Sequence, residues 1–168
     1  MSLRTVAVVL ASMLLMVATP AGVGRAADPA PAKLGIGLGL TGPLAFLSQE
    51  YLKGMRAAVD VVNQEGGVGG GRKLELVVHD HKGVPSDAVA VTKRLIEQDR
   101  VNLVDIDLPG TVAIAAQAVT KQAKMPQITG FGFPMGVVEQ GNPYHFRVCT
   151  NAPLIASVLA ESIRATPN

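Results

Sequence analysis

The segment His79-Asp80-His81 places two histidines two residues apart, a spacing that metal chemistry could use. Residues i and i+2 of a strand point to the same face, so the two imidazoles would lie side by side. Zinc needs one or two further ligands. The remaining histidine, His145, belongs to another predicted strand, and no cysteine or acidic cluster is near in sequence. The pattern therefore favours a polar strand end, and we predict no metal site.

Asp105 and Asp107 are the second candidate, because two acids with this spacing share one face near the carboxyl end of a predicted strand. They would either contact a cationic group of a ligand or face solvent at the rim of the sheet. A lone acid pair is usually solvated, so we expect the second arrangement. The chain has no GxSxG elbow and no paired-acid motif. We therefore predict no catalytic residue.

The segment Gly37-Leu38-Gly39-Leu40-Thr41-Gly42 is a literal GxGxxG that follows a predicted strand. A dinucleotide site needs a helix that begins at the third glycine, so that its N–H groups face the pyrophosphate. Here Pro43 comes next, and the helical periodicity begins only near Ser48. These glycines indicate close packing around a strand, and we expect no nucleotide or other cofactor.

The first 26 residues have the organisation of a secretory signal peptide. Arg4 precedes an apolar run over 6–18 (VAVVLASMLLMVA), and small residues follow up to Gly24-Arg25-Ala26. The run has 13 residues, whereas a membrane-spanning helix needs about 20. We predict cleavage after Ala26, with Thr19-Pro20-Ala21 as the alternative site.

The remainder of the chain reads as one domain of ordinary size. Residues 27–32 form a Pro/Ala linker, and residues 33–168 form the domain. Without Arg4 and Arg25 the chain has 13 basic and 13 acidic residues, so it has no basic excess that would indicate nucleic-acid binding. Cys149 is the only cysteine, which excludes a disulfide within the chain.

Along this domain, segments in which apolar residues recur every two positions alternate with segments in which they recur every 3.6 positions. This pattern predicts alternating strands and helices. Alternation of this kind implies an α/β fold with a parallel sheet covered on both faces. Such sheets bind ligands at the carboxyl ends of their strands. The predicted strands are 34–40, 74–78, 101–106, 126–129 and 144–148. The predicted helices are 48–64, 86–98 with Ser86 as N-cap, 110–123, and one capped by Asn151 with Ile155, Val158, Leu159 and Ile163 inside.

The order and spacing of several segments resemble the leucine/isoleucine/valine-type periplasmic binding proteins of bacterial ABC transporters. The segment 33–43 (KLGIGLGLTGP) resembles the opening strand and TGP loop of that family. Gly54, Ala57, Ala58, Asn63 and Gly66-Gly67-Val68 resemble its first helix and the following turn. The segments 74–80, 121–129 and 144–147 are similar to its second strand, its third helix with fourth strand, and its fifth strand.

This resemblance implies a non-catalytic protein with two Rossmann-like lobes that close on a ligand. Residues 33–168 would supply the N-terminal lobe and stop before the second. The protein would capture an amino acid, an amide, urea or a small aromatic acid in the periplasm and deliver it to a permease in the inner membrane. On the first lobe the family's ligand contacts correspond to Leu47, Gly110, Thr111, Phe131, Gly132 and Phe133.

Two departures from the family change the expected ligand and partners. Gly110 and Phe133 stand where its amino-acid binders hold the ligand carboxylate with a Ser and a Thr. Thr111 and the helix N-terminus would bind an anion instead, while Phe131 and Phe133 would favour an apolar or aromatic ligand body. Without a second lobe, apolar surface would be exposed. The alternatives are therefore a remnant that binds nothing, or a protein that borrows a partner lobe or self-associates.

Overall fold

The computed structural model describes residues 29–132 and 134–166. The predicted signal peptide, part of the predicted linker and Phe133 lie outside this range. Five strands form one parallel sheet in the order β2-β1-β3-β4-β5. The strands are β1 (Ala32–Leu38), β2 (Leu74–Asp80), β3 (Leu103–Ile106), β4 (Gln127–Thr129) and β5 (His145–Arg147). The helices are α1 (Ala45–Gln64), α2 (Pro85–Glu97), α3 (Gly110–Ala123) and α4 (Ala152–Ala165), with a 3-10 turn at Met135–Val137.

The predicted α/β fold is confirmed, and β1 shows why its glycines are needed. It pairs with β2 on one side and with β3 on the other, and residues 34–38 are buried on both faces. A β-carbon on Gly35 would lie 2.9 Å from Leu95, and one on Gly37 would lie 2.7 Å from Ile106. Close packing of α2 and β3 around β1 therefore depends on these two glycines.

Two helix starts differ from the prediction. Helix α1 begins at Ala45 rather than Ser48, so the polar Ser48 is carried into the helix and buried. Helix α2 begins at Pro85, with Val84 as the N-cap residue and no side-chain cap. The assignment of Ser86 as N-cap is wrong, because Pro85 already occupies the first helical position, where its missing N–H costs nothing.

Helix α3 buries polar residues, which apolar periodicity does not predict. Gln117 and Thr120 are buried, whereas Ala123, the last residue of the helix, is exposed. The Thr120 hydroxyl donates to Gln127 Oε1 at 2.8 Å, and Gln127 Nε2 donates to the Ala113 carbonyl at 3.1 Å. Because both ends of the Gln127 amide are satisfied, this pair fixes α3 against β4.

Helix α4 has the predicted cap but not the predicted burial. The Asn151 side chain accepts from the Leu154 N–H at 2.8 Å, as an N-cap does. No residue of α4 is buried, and Leu159 is 59% exposed. The prediction that its apolar face lies inside is wrong, because no described element covers that face. The exposed large apolar side chains are Leu154, Ile155, Val158, Leu159 and Ile163.

Among the residues described, no helix is long and apolar enough to cross a lipid bilayer.

Candidate functional site

Three loops meet at the carboxyl edge of the sheet, because the parallel strands β1, β3 and β4 all end there. The loop after β1 leads into α1, the loop after β3 leads into α3, and the loop after β4 leads into the 3-10 turn. Open α/β sheets form ligand crevices at this edge. It is therefore the part of the fold in which to look for a site.

A phenol and a carboxyl group form the floor of this edge. Tyr51 on α1 donates its hydroxyl hydrogen to Asp105 Oδ2 on β3, at 2.6 Å. Asp105 is fully buried. The hydroxyl end of Tyr51 also lies against Gly130, where a β-carbon would overlap it. Tyr51 thus links α1, β3 and the first residue of the loop after β4.

A second buried carboxylate, Asp107, links two of the three loops. Its Oδ1 accepts from the N–H of Leu108 at 3.1 Å, and its Oδ2 accepts from the N–H of Phe131 at 2.5 Å. Asp105 and Asp107 both have no exposed surface. The expectation that this pair faces solvent at the rim is wrong, because backbone and phenol donors at the crevice floor replace water.

The electrostatics of the floor favour neutral acids. Burial raises the pKa of Asp105 to about 7, and burial likewise raises the pKa of Asp107. The pKa of Tyr51 is raised, first by burial and then by the nearby Asp105. Among the described residues, neither acid has an ion-pair partner. A buried carboxyl group without a cation keeps its proton to a higher pH than an exposed one.

Two buried polar atoms at this floor, Ser48 Oγ and Asp105 Oδ1, have no hydrogen-bond partner among the residues that the structure describes. Ser48 lies one helical turn before Tyr51 on α1, so both side chains lie on the same side of that helix. Buried polar atoms are normally satisfied by protein or by ordered water.

The structure brings most of the predicted site residues to this edge. β-carbons on Gly110 and Gly132 would each lie 3.5 Å from Val137, so the start of α3 and the loop after β4 are adjacent. Pro134 occupies the side of Gly110 where a larger residue would project. Thr111 and Phe131 are exposed, and Gly132 is buried. Leu47, also exposed, lies one turn before Tyr51 on α1. Phe133 lies outside the described residues.

His79 and His81, at the predicted polar strand end, make separate contacts. His79 Nε2 pairs with Asp99 Oδ2 at 2.8 Å. His81 is fully buried, its Nε2–H donates to the Asp107 carbonyl at 2.9 Å, and its Nδ1 accepts from the Gly83 N–H at 3.0 Å. Burial lowers the pKa of His81. No group of three His, Cys, Asp or Glu within the described ranges could hold a metal ion.

Sequence reasoning missed the roles of Tyr51 and Asp105. The available signal was a charged residue inside the otherwise apolar strand segment Leu103-Val104-Asp105-Ile106. A carboxyl group at such a position must find a donor on a packed helix. Nothing in the sequence alone identifies that donor as Tyr51.

The family model and the related sequences agree on one protein family. The sequence profile of the family described as periplasmic binding protein matches residues 31–166. An amino acid binding protein of Pseudomonas aeruginosa is 33% identical over 109 residues, which cover 65% of this chain and 29% of that protein. A Leu/Ile/Val-binding protein homolog of Brucella melitensis is 28% identical over 152 residues, which cover 90% and 41% respectively.

Solved structures agree with the sequence comparison. The branched-chain amino acid transporter substrate binding protein LivJ from Streptococcus pneumoniae, in complex with isoleucine, superposes with a TM-score of 0.68 at 27% identity. The superposition covers 80% of this chain and 39% of that protein. This chain therefore spans well under half the length of these relatives.

Proposed function

Because the chain belongs to the periplasmic binding protein family, we propose that it is a substrate-binding component of an ABC importer that captures a small solute. The observation that carries this proposal is the family match over residues 31–166, which includes every strand and helix described above. The relatives and structural neighbours are solute-binding proteins rather than enzymes. The function proposed for this chain is accordingly binding and delivery.

The proposed binding surface is the carboxyl edge of the sheet. Its contacts are Leu47 on α1, Gly110 and Thr111 at the start of α3, and the loop 131–133. Two contacts support this surface. Val137 lies beside both Gly110 and Gly132, and Asp107 accepts from the Phe131 N–H, so the start of α3 and the loop after β4 are held next to each other. The first turn of α3 carries no acidic residue and no side-chain cap. Its N–H groups and dipole therefore favour an anionic group of a ligand.

The proposed ligand is a branched-chain amino acid, an amide, or a small aromatic or aliphatic acid. Thr111 is the nearest exposed hydroxyl to the start of α3 and would hold the acidic group. Phe131, which is 39% exposed, offers part of a ring to an apolar body. The isoleucine bound by the pneumococcal neighbour supports the choice of branched-chain amino acids as first probes.

The proposed place of action is the periplasm, with an inner-membrane permease as partner. Periplasmic relatives support this location, and the signal peptide over residues 1–26 remains a prediction. Cell fractionation of a Gram-negative host that expresses the chain, followed by N-terminal sequencing, tests it. A periplasmic product that begins at Ala27 is expected. A cytoplasmic product that retains Arg4 would contradict it.

Binding is tested by NMR titration of the exported protein with isoleucine, leucine, isoleucinamide and benzoate. At least one probe should shift the backbone amides of residues 110–111 and 131–132. Thr111→Val should weaken that binding by about tenfold, the usual effect of one lost hydrogen bond to a charged group. Thr166→Val, near the far end of α4, is the matched control and should bind like the parent. Absence of amide shifts with all four probes would reject the proposed function.

A second candidate function is interaction through α4, either with a partner lobe or with another copy. The observation that favours it is the exposed apolar face of α4. All of its large apolar side chains except Ile163 line an open groove of about 410 Å³, together with Thr150 and Ser162. Sedimentation of the parent and of Leu159→Glu tests self-association. A concentration-dependent parent and a monomeric variant are expected, whereas a monomeric parent would exclude it.

A further inference from the structure

The loop after β4 approaches α1 so closely that residue 130 has no room for a side chain. A β-carbon on Gly130 would overlap the Tyr51 hydroxyl oxygen and would lie 3.1 Å from Cζ of the same ring. Gly130 does not adopt a positive φ, so the limit on this position is space rather than backbone conformation. The Tyr51 ring therefore determines how far the loop can move toward α1.

The position of the Tyr51 ring is itself fixed by a hydrogen bond to β3. Its hydroxyl group donates to the buried Asp105 at 2.6 Å, and a short O–H···O bond of this kind fixes the orientation of the ring. The neighbouring Asp107 holds the next residue of the loop through the Phe131 N–H. Residues 130 and 131 are thus supported by two buried acids, one acting through a phenol and one directly.

We propose that Tyr51 is a specificity-determining residue of the proposed ligand site, and that the position of its hydroxyl end against Gly130 determines the size of solute that the crevice accepts. This inference rests on the proposed function. Asp105 is a positioning residue that acts through Tyr51, and Asp107 is a positioning residue that acts through the Phe131 amide. None of the three needs to touch the ligand for this effect.

Two substitutions should move the loop in opposite directions. Gly130→Ala places a methyl group against the Tyr51 hydroxyl, so the loop must move away from α1, and we expect this movement to narrow the space between the loop and the adjacent start of α3. Tyr51→Phe removes the hydroxyl, so the loop can settle toward α1, and we expect the space beside the start of α3 to widen. In the double variant the new methyl group takes the place of the lost hydroxyl, which should restore the loop toward its original position.

The test is an NMR titration of the four proteins with isoleucine and with the smaller probe alanine. Gly130→Ala should weaken isoleucine binding by about tenfold, as expected for overpacking, and should weaken alanine binding by less. Tyr51→Phe should change the ratio of the two affinities in the opposite direction. The double variant should bind isoleucine within about threefold of the parent, because the two changes share one contact and are not additive. Additive effects of the two substitutions would overturn the inference.

The matched control is Gly54→Ala, which makes the same substitution on α1 one turn beyond Tyr51. A β-carbon there meets nothing within 4 Å, so affinity for both probes should equal that of the parent. A tenfold loss in this control would show that the Gly130→Ala result is not specific to the Tyr51 contact, and would overturn the inference.

Hydrogen exchange of the Phe131 amide without ligand separates this inference from the proposed function. Exchange should become faster in Gly130→Ala and return to the parent rate in the double variant. If no probe binds but exchange follows this pattern, the proposed function fails while the support of the loop by Tyr51 stands. If probes bind but neither exchange nor the affinity ratio responds to the substitutions, the specificity role of Tyr51 is refuted alone.

Discussion

Helices α2 and α4 are similar in length and in pattern, yet only one of them is packed. Ala88, Thr92 and Leu95 on α2 are fully buried against the central sheet. Ile155 and Leu159, at corresponding spacing on α4, remain exposed. The difference lies in the neighbours, because α2 connects β2 and β3, the two strands that flank the central strand β1, whereas α4 follows the edge strand β5. Amphipathic spacing therefore predicts which face of a helix is apolar, but not whether another element of the chain covers that face.

The largest expected effect is the contrast between Leu95→Ala and Leu159→Ala. Leu95 is fully buried in the cluster between α2 and the sheet, so its truncation should lower the free energy of unfolding by about 2–5 kcal/mol. Leu159→Ala should change it by less than about 0.5 kcal/mol, as for other exposed positions. Urea denaturation measures both. Equal losses would mean that α4 is packed in solution and that the contrast is wrong.

The next effect concerns a buried acid compared with an exposed one. The pKa of Asp105 is raised by burial from 3.8 to about 7, so the folded state holds a proton that the unfolded chain releases. The stabilising contribution is full below pH 4 and is lost as the pH rises to about 7, at roughly 1.4 kcal/mol for each unit of difference. Asp107, whose pKa is also raised by burial, adds in the same direction.

Replacement of the acid should remove this dependence on pH. Asp105→Asn is expected to flatten the decline in stability between pH 4 and 7 by about 3 kcal/mol. Glu161→Gln on α4 is the control and should leave the pH profile unchanged, since Glu161 is exposed. Denaturation at a series of pH values gives both profiles. Because burial lowers the pKa of His81 and makes an opposite contribution, the test is the difference between the two profiles: a variant whose stability falls as steeply as that of the parent, or more steeply, would contradict the sign.

The smallest effect should be local. Asn151→Ala removes the side-chain acceptor of the Leu154 N–H, which is worth about 1 kcal/mol to a helix. Because no residue of α4 is buried, this loss should appear as faster amide exchange within 152–165 and not as a lower midpoint of global unfolding. A fall in the global midpoint would place α4 in the same cooperative unit as the sheet.

The sequence predicts the sheet well because its strands and helices alternate in period. The glycines of β1, the cap of α4 and the order of elements all follow from local pattern. The floor of the site does not, because Tyr51 and Asp105 meet only through the packing of α1 on β3. Likewise the Gln127 side chain on β4 finds its partners, Thr120 and Ala113, on α3. Contacts between polar groups on different elements depend on register and rotation, which periodicity does not specify.

The central position of β1 has a consequence for the order in which this chain can fold. Leu34 pairs with Leu76 on one side and with Leu103 on the other, so the first strand stays without either neighbour until much of the chain exists. Parallel pairings between distant residues form slowly, because closing the loop between them lowers the chain entropy before the new contacts stabilise the structure. β1 therefore gains its first neighbour only after β2 has been synthesised and its second only after β3, so we expect the sheet to form late in synthesis.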